Sequence, residues 1–230
     1  MKHLFAAVLS STVLLLLLSC KSVDINKKYP NMVADADPVS AGIIEAEFDR
    51  LFSSKLNKLE IEVIFYPRLN ATVLEFRYEF VRYRQFWDEV SRKQFANALE
   101  LYKEDYAARK LVNRYNKSRS VYGKVKGRVE WETFKFSKTH VSNPTIEMGY
   151  RFREERPYFT TLMRSAREED ISSDSPMDSQ QINMYFTRAQ AEDLVKLFDQ
   201  SYLLGLLGRS STLKPEEPPV FDEYREFGDD

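Results

Sequence analysis

Residues 59–80, LEIEVIFYPRLNATVLEFRYEF, contain the pattern on which the predicted fold depends. Apolar and polar side chains alternate on both sides of Asn70, and this period of two is typical of β-strands with one buried face. The alternation shifts near Ile64, which indicates a β-bulge or a sharp twist. A turn near Asn70 then joins two antiparallel strands. The second strand is predicted to point four residues inward: Leu74, Phe76, Tyr78 and Phe80.

The same pattern occurs a second time further along the chain, as an internal repeat. Leu59-Glu60-Ile61-Glu62 corresponds to Val129-Glu130-Trp131-Glu132, and the phase shift that follows matches Ile64 and Tyr66 to Phe134 and Phe136. The second copy has its own predicted turn near Asn143. Its inward residues are then Ile146, Met148, Tyr150 and Phe152, and at a constant offset Arg84 and Phe86-Trp87 line up with Arg156 and Tyr158-Phe159.

Each copy continues into a predicted α-helix. Ser91-Arg92-Lys93-Gln94 and Thr187-Arg188-Ala189-Gln190 have the capping-box pattern, in which a hydroxyl and a glutamine satisfy the amides of the first turn. We expect the first helix to reach Val112 and the second to end near Gly205 and Gly208. The apolar residues recur at helical spacing: Phe95, Ala98, Leu99, Tyr102 and Tyr106, then Ala191, Leu194, Val195, Phe198 and Tyr202.

These elements predict an α+β fold. We expect an antiparallel β-sheet of about six to eight strands with two long helices on one face, built from an internally duplicated β-hairpin–helix unit. Further strands are predicted at Ile43–Phe52 and Ile182–Phe186, and residues Thr160–Gln180 are an insertion in the second copy. Two alternatives remain open: two separable domains, or a closed barrel with a terminal helix as in lipocalins. The long helix in mid-chain counts against the barrel.

The first residues have the organisation of a secretory signal peptide. Lys2 and His3 precede an apolar run that ends at Leu18. The run is shorter than the about 20 apolar residues of a transmembrane helix. An ordinary signal peptide that happens to contain a cysteine is one interpretation of this segment.

A second feature favours lipid attachment. Leu17-Leu18-Ser19-Cys20 resembles the lipobox of bacterial lipoproteins, in the looser form found among spirochaetes, because Leu18 stands where a smaller residue is commoner. The resemblance implies that residues 1–19 are removed and that Cys20 is diacylated, with chains such as palmitate. It covers this segment alone, and no family is recognised for the mature domain.

The mature chain is predicted to have three parts. Residues 20–40 are polar, contain Pro30 and Pro38, and form the lipidated N-terminus and a tether. Residues 41–208 form a single α+β domain, with repeat one at 41–113 and repeat two at 121–208. Residues 209–230 form an acidic, proline-containing tail that is expected to be disordered. Its carboxylates are Glu216, Glu217, Asp222, Glu223, Glu226, Asp229 and Asp230.

The composition argues against several functions. A formal net charge of −1 does not supply the basic field of a nucleic-acid-binding protein. Cys20 is the single cysteine and is assigned to the anchor, and His140, in a predicted loop, is the single histidine outside the signal peptide. Nucleophilic Ser-His-Asp or Cys-His schemes and zinc-ligand spacings are therefore missing from the sequence. We expect no catalytic residue, no metal and no cofactor.

Paired carboxylates are the remaining candidates for acid–base chemistry. Glu60 with Glu62, and Glu130 with Glu132, project from one strand face about 7 Å apart, which falls within the range that glycosidases use. Such pairs are also ordinary on solvent-facing strands, which is the preferred interpretation. The outward arginines are expected to pair with acids of neighbouring strands, or to contact lipid phosphates or an acidic partner: Arg77, Arg82, Arg84, Arg151 and Arg153.

The sequence therefore favours a non-enzymatic cell-envelope lipoprotein, exported and lipid-anchored to a bacterial membrane, in the periplasm or on the surface. It would act through protein binding or a structural role, with an envelope protein and the membrane itself as partners and no nucleic acid. One alternative is a carrier or sensor of a lipid or another hydrophobic small ligand, with a cavity between sheet and helices. The other is a carboxylate-dependent hydrolase, which needs two acids in a cleft.

Overall fold

The computed structural model describes residues 28–49, 55–113, 121–133, 138–153, 155–169 and 176–210. Several predictions lie outside these residues: the signal peptide, the lipidated Cys20, Phe134 and Phe136, and the acidic tail from residue 211 onward.

The predicted α+β class with an antiparallel sheet is confirmed. The described residues form ten strands and three helices, more than the about six to eight strands and two helices expected. The elements are β1 Val39–Asp49, β2 Leu56–Tyr66, β3 Ala71–Tyr78, β4 Val81–Asp88, α1 Glu89–Ala107, β5 Val121–Lys126, β6 Arg128–Glu132, β7 His140–Ser142, β8 Thr145–Arg153, β9 Arg156–Met163, β10 Ile182–Phe186, α2 Arg188–Phe198 and α3 Gln200–Ser210.

The sheet curls until its two ends meet. The strand order is β5-β8-β9-β10-β1-β2-β3-β4-β6-β7, yet β5 and β6 are halves of one long strand separated by Gly127 alone. That strand pairs along its length with β7 and β8, from Trp131 opposite His140 to Lys126 opposite Thr145. The Gly127 N–H donates to the Pro144 carbonyl at 3.0 Å, which continues the pairing across the break. The ten strands therefore form a ring of eight long strands.

The two interruptions of long strands in this ring, at Gly127 and at Pro144, coincide with residues of special backbone chemistry. A Cβ at Gly127 would lie 2.6 Å from Ile146 Cδ1, so any other residue here would force that buried side chain to shift. Pro144 has no N–H to donate to a ladder, so it interrupts the opposite strand. The turn predicted near Asn143 is therefore wrong, because the chain continues there from β7 into β8.

The ring consists of two consecutive meanders, and each is followed by a helix. β1 to β4 precede α1, and β5–β6, β7–β8, β9 and β10 precede α2. The helix in mid-chain does not interrupt the ring, since β4 pairs with β6 across it. In the sequence analysis, the helix in mid-chain counted against a closed barrel. The structure shows that a closed order of antiparallel strands forms in spite of this helix.

The sequence comparison matched Tyr78 to Tyr150, but the turns that end these strands correspond three residues further along the second copy. Tyr78 pairs with Val81 at one turn, whereas Arg153 pairs with Arg156 at the other. Phe80, predicted to point inward, lies at the tip of the β3–β4 turn and is 88% exposed. Leu74 and Phe76 are buried as predicted, as are Ile146, Met148 and Tyr150.

The two helix starts differ from each other. The capping box at Thr187 and Gln190 is confirmed. The one predicted at Ser91 is wrong, because the Asp88 carboxylate at the end of β4 accepts from the Ser91 N–H at 2.7 Å and begins the helix earlier. The first helix ends at Ala107 rather than Val112, and the second is divided by Asp199 into α2 and α3.

The helices and the curled sheet share one core. α1 packs on β4, β5 and β8, and α2 packs on β1, β9 and β10. Phe95 of α1 is fully buried, with its ring centroid 5.2 Å from Phe159, 5.4 Å from Phe198 and 5.7 Å from Trp87. Strands from both repeats and both predicted helices therefore contribute to a single cluster of buried side chains.

The predicted insertion, Thr160–Gln180, is largely an extension of the sheet. Its first residues belong to β9, and beyond β9 the Ser179 N–H donates to the Ala166 carbonyl at 2.8 Å while Arg167 pairs with Asp178. The register continues that of Met163 opposite Ile182. The described part of the insertion is thus a hairpin that prolongs β9 and β10.

Candidate functional site: the charged outer face

Charged side chains form two rows across the outer face of the sheet, from β1 to β6. One row runs through Glu62, Glu75, Arg84 and Glu130, which are successive cross-strand partners. In the other row Glu45 pairs with Glu60 in β1 and β2, and Arg82 lies between Arg77 and Glu132 in β3 to β6. Alternation points these side chains outward while Ile61, Phe76 and Trp131 on the same strands point into the core.

The β4–β6 side of this face is well paired. Arg84 Nη2 lies 2.9 Å from Glu130 Oε2 and 3.3 Å from Glu132 Oε1. Arg128 Nη2 donates to Glu130 Oε1 at 2.8 Å, and the Thr139 hydroxyl donates to Glu132 Oε1 at 2.7 Å. The outward arginines at 82 and 84 therefore pair with acids of neighbouring strands, as the alternation led us to expect.

Arg82 and Glu75 mark the boundary between the two sides. Arg82 Nε and Nη2 both donate to Glu75 Oε1, at 3.0 and 2.6 Å. These hydrogen bonds raise the pKa of Arg82, and the negative charges of Glu75 and Glu132 act in the same direction. The Glu75 carboxylate thus has a cation on its β4 side and Glu62 on its β2 side.

The β1–β2 side has the opposite character. Glu45 faces Glu60, and Glu62 faces Glu75, so like charges occupy directly opposed positions, which destabilises a sheet. Lys58 Nζ lies 3.8 Å from Glu45 Oε2, and Glu60 and Glu62 form no ion pair among the described residues. Ile43, the partner of Glu62 in β1, is 65% exposed. We call Ile43, Glu45, Glu60 and Glu62 the acidic face.

An open depression of about 280 Å³ adjoins the acidic face. Its lining combines two apolar residues, three carboxylates and two guanidinium groups: Ile43, Phe76, Glu60, Glu62, Glu75, Arg77 and Arg82. The four predicted carboxylates thus share one open face, but Glu62 and Glu130 are separated by three strand spacings, about 14 Å. They do not converge in an enclosed cleft within the described residues.

The other predicted arginines lie elsewhere. Arg151 is on β8, and Arg153 Nη2 donates to the Asp49 carboxylate and, at 2.9 Å, to the Tyr185 hydroxyl. Tyr185 in turn donates to Asp49 Oδ2 at 3.0 Å, which completes a small polar cluster at the end of β1.

His140 was predicted to lie in an exposed loop, and this is wrong. The residue begins β7, and its ring stacks on Trp131 at a centroid distance of 5.3 Å. Nδ1 lies 3.0 Å from Glu168 Oε1, whose side chain is almost entirely buried, although the two atoms are not aligned for a directional hydrogen bond. β7 and β8 follow one another through Asn143 and Pro144 without a reversal, so His140 pairs with Trp131 and shares its inward face.

Glu168 is an ionisable residue that sequence reasoning missed. The Met177 N–H donates to its Oε2 at 3.1 Å, and Lys138 Nζ lies 3.5 Å from its Oε1. The backbone hydrogen bond, with His140 and Lys138, lowers the pKa of Glu168, although burial acts in the opposite direction. The insertion shows no periodic pattern, so no sequence signal pointed to this residue.

Arg92 was missed for a different reason. It was named only as a position in the predicted capping box, but it is buried, and Nη1 donates to the carbonyls of Asn70 and Trp87, each at 3.1 Å. Desolvation lowers the pKa of Arg92. Nη2 donates to Gln200 Oε1, so this side chain fastens the β2–β3 turn to the start of α3.

Among the residues that the structure describes, no group of three or more His, Cys, Asp and Glu side chains is arranged to hold a metal ion. Among the helices in the part of the chain that the structure describes, none has the length and apolar character needed to cross a membrane.

Comparison with known proteins gives one result, from the family level. Neither the curated proteins nor the solved structures contain a match to this chain. One family, described as "Uncharacterised Treponema protein", matches residues 40–204, which include every strand except the first residue of β1, all of α1 and α2, and the start of α3. The chain belongs to this uncharacterised spirochaete protein family.

Proposed function

We propose that this chain is a cell-envelope lipoprotein, anchored through Cys20, that acts by binding another protein rather than by catalysis. The lipobox-like Leu17-Leu18-Ser19-Cys20 supports the anchor, and membership of a Treponema family is consistent with its loose, spirochaete-like form. The observation that carries the binding role is the acidic face, where carboxylates oppose carboxylates around an exposed isoleucine.

The acidic face is costly to the isolated protein and suited to a cationic partner. Each like-charged pair destabilises the sheet by a few tenths of a kcal/mol, about the size of a cross-strand interaction. A partner that places lysine or arginine between these carboxylates removes that repulsion and gains opposite-charge contacts. Ile43 adds apolar area at the centre of the contact. The expected partner is therefore an envelope protein with a basic surface.

A photo-crosslinking amino acid at position 43 tests this role in the native envelope. The wild-type protein should form one dominant protein adduct, and Glu60→Gln with Glu62→Gln should abolish it. Glu100→Gln with Glu104→Gln removes the same charge from the exposed side of α1 and should leave the adduct intact. Equal adduct yields from both double variants would contradict binding through the acidic face.

The anchor requires a separate test. Mass spectrometry of the native N-terminus should find diacylglycerol on Cys20, and a Cys20→Ala variant should lose its membrane association. An unmodified mature N-terminus at another residue would contradict the lipoprotein proposal.

Two other functions receive less support from the geometry. A carrier needs an apolar cavity between sheet and helices, but the Phe95 ring contacts both Phe159 and Phe198 there. A carboxylate-dependent hydrolase needs two acids in a water-excluding cleft, whereas Glu60 and Glu62 line an open depression. Both observations favour binding on the outer surface.

We also infer that the two meanders and their helices arose by internal duplication. Each half contains four long antiparallel strands, then a residue whose side chain caps a helix: Asp88 in the first half and Thr187 in the second. Buried apolar residues follow each cap at helical spacing and enter the same core. Superposition of β1–β4 with α1 on the second meander with α2 tests this, and different strand directions would contradict it.

A further inference from the structure

The chain reaches the domain at one end of the ring, at the β2–β3 turn. Residues 28–38 belong to the predicted tether, but they are held against this turn. The Val33 N–H donates to the Pro67 carbonyl at 3.0 Å. Arg68 Nε donates to Asp35 Oδ1 at 2.6 Å, and Arg68 Nη1 lies 3.6 Å from Asp37. The path of the chain toward Cys20 therefore starts beside Pro67 and Arg68.

The distance from this turn to the lipid is limited by chain length. Lys28 is eight Cα–Cα steps from Cys20, and a fully extended chain of that length spans at most about 29 Å. The opposite end of the ring, at the β3–β4 turn, is further away by the length of β3, about 26 Å. If the bilayer lay at the β3–β4 end, the segment from Cys20 to Lys28 would use nearly all of its length to run alongside the domain. The segment therefore reaches the bilayer easily from the β2–β3 turn and has almost no slack from the β3–β4 turn.

Three aliphatic side chains are exposed at this end. Val33 and Leu69 flank the Pro67 turn, and Val90, at the start of α1, is 66% exposed. Val90 is held beside the turn because its neighbour Glu89 accepts, at Oε2, from Asn70 Nδ2 at 3.2 Å. We call Val33, Leu69 and Val90 the anchor-end surface.

The charges around the anchor-end surface suit a lipid headgroup layer. Asp35 and Asp37 lie at Arg68, and Glu89 Oε1 accepts from Lys93 Nζ at 2.6 Å. Asp35 and Asp37 share one guanidinium, so three carboxylates lie beside two cations, whereas Glu60 and Glu62 form no ion pair among the described residues. This pairing reduces the repulsion between the anchor-end surface and an anionic bilayer.

We propose that the anchor-end surface rests on the bilayer that holds Cys20, so that Val33, Leu69 and Val90 contact the lipid interface. This inference rests on the proposed lipid anchor. It fixes how the domain stands on the membrane: the anchor-end surface faces the lipid, and the acidic face is presented along the side of the ring. A single acyl-modified residue anchors a chain but does not orient it, so the orientation comes from these apolar contacts.

The experiment exploits the cysteine content of the chain. Cys20 is the single cysteine and is acylated in the mature lipoprotein, so one introduced cysteine can be labelled uniquely. Leu69→Cys, Val90→Cys and the control Phe80→Cys each carry an environment-sensitive fluorophore. The mature acylated proteins are placed in vesicles of phosphatidylcholine and phosphatidylglycerol, with and without brominated acyl chains as contact quenchers. All three positions are exposed, so the labels should leave the fold intact.

The labels at positions 69 and 90 should lose fluorescence when the lipid is brominated, and the label at position 80 should not. Equal quenching at all three positions, or quenching at position 80 alone, would overturn the orientation while the anchor stands. Quenching that follows the protein-to-lipid ratio instead of bromination would assign the surface to a second copy and also overturn the proposal. Failure of the unlabelled protein to float with vesicles would refute the anchor itself, and the orientation with it.

Discussion

Glu60 and Glu62 in β2 share their spacing with Glu130 and Glu132 in β6, and both pairs project from the outer face of one curled sheet. Their surroundings are opposite. The β6 pair adjoins Arg84, which reaches both carboxylates, whereas the β2 pair faces carboxylates on both neighbouring strands. The spacing of two acids therefore says little about their effect on the fold, because the adjacent strands decide whether they stabilise or destabilise it.

The difference also separates structural acids from candidate binding acids. Glu130 and Glu132 are largely covered, and their charges are matched inside the domain. Glu60 and Glu62 are exposed and have no ion pair among the described residues. A matched charge has little left to offer a partner, whereas an unmatched one gains from contact with a cation. The expected effect of removing a charge contact decreases from the buried Glu168, through the partly buried Glu130 and Glu132, to the exposed Glu60 and Glu62.

The largest effect is expected at the buried carboxylate, Glu168. Glu168→Gln keeps an acceptor for the Met177 N–H but removes the charge that faces His140 and Lys138, and should cost about 2 kcal/mol of unfolding free energy at pH 7. The pKa of Glu168 is lowered in the folded state, so its contribution is present above the unfolded value of about 4.3 and is lost as pH falls through the folded value.

Urea denaturation at pH 7 and at several values below pH 4.3 measures this difference. The gap between wild type and Glu168→Gln should shrink as the pH falls, while the exposed control Glu104→Gln should match wild type throughout. A gap that does not change with pH would show that the Glu168 charge is not what stabilises the hairpin.

An intermediate effect is expected at Arg84. Arg84→Met removes both contacts to the β6 carboxylates and leaves those partly buried acids without their central cation, at a cost of about 1 kcal/mol. Arg77→Met, on the same face, removes a guanidinium without a described ion pair and should stay within about 0.5 kcal/mol of wild type. Equal losses in the two variants, measured by urea denaturation, would mean that packing of the arginine stems matters more than charge.

The smallest effect is expected at the acidic face, and its sign is reversed. Glu60→Gln with Glu62→Gln should raise stability by about 0.5 kcal/mol, because it removes like-charge repulsion, whereas Glu130→Gln with Glu132→Gln should lower it. Added salt should stabilise the wild type by screening that repulsion and should have less effect on the first double variant. If both double variants shifted the denaturation midpoint in the same direction, the two regions would not differ as described.

Much of the fold was predictable where one local pattern settled the matter. Alternation located the strands around Asn70 and the strand Ile182–Phe186, and Thr187 with Gln190 located the start of α2. The closure of the ring was not predictable, because Gly127 and Pro144 resemble the ends of elements in the sequence. They are interruptions within long strands, and that becomes visible only when the facing strand and its Ile146 side chain are known.

The candidate site shows the same limit. The sequence places both glutamate pairs on outward faces, but it cannot show that β4 lies beside β6 across a helix. The Arg84 contacts follow from that adjacency. Because the turn was predicted near Asn143, His140 was assigned to a loop, and its contact with Glu168 could not be anticipated. The segment around Glu168 also has no periodic pattern that would indicate burial.

The helices also protect the sheet edges that the ring leaves uncovered. The first half of β1 extends beyond its short pairing with β10, where the Ala41 carbonyl accepts from the Tyr202 hydroxyl at 2.8 Å and Leu197 lies over Gly42. β5 extends beyond β4 in the same way and is covered by α1. Exposed strand edges are templates for pairing with other chains. If copies of the chain crowd on a membrane through the proposed lipid anchor, this covering would keep them from pairing strand to strand.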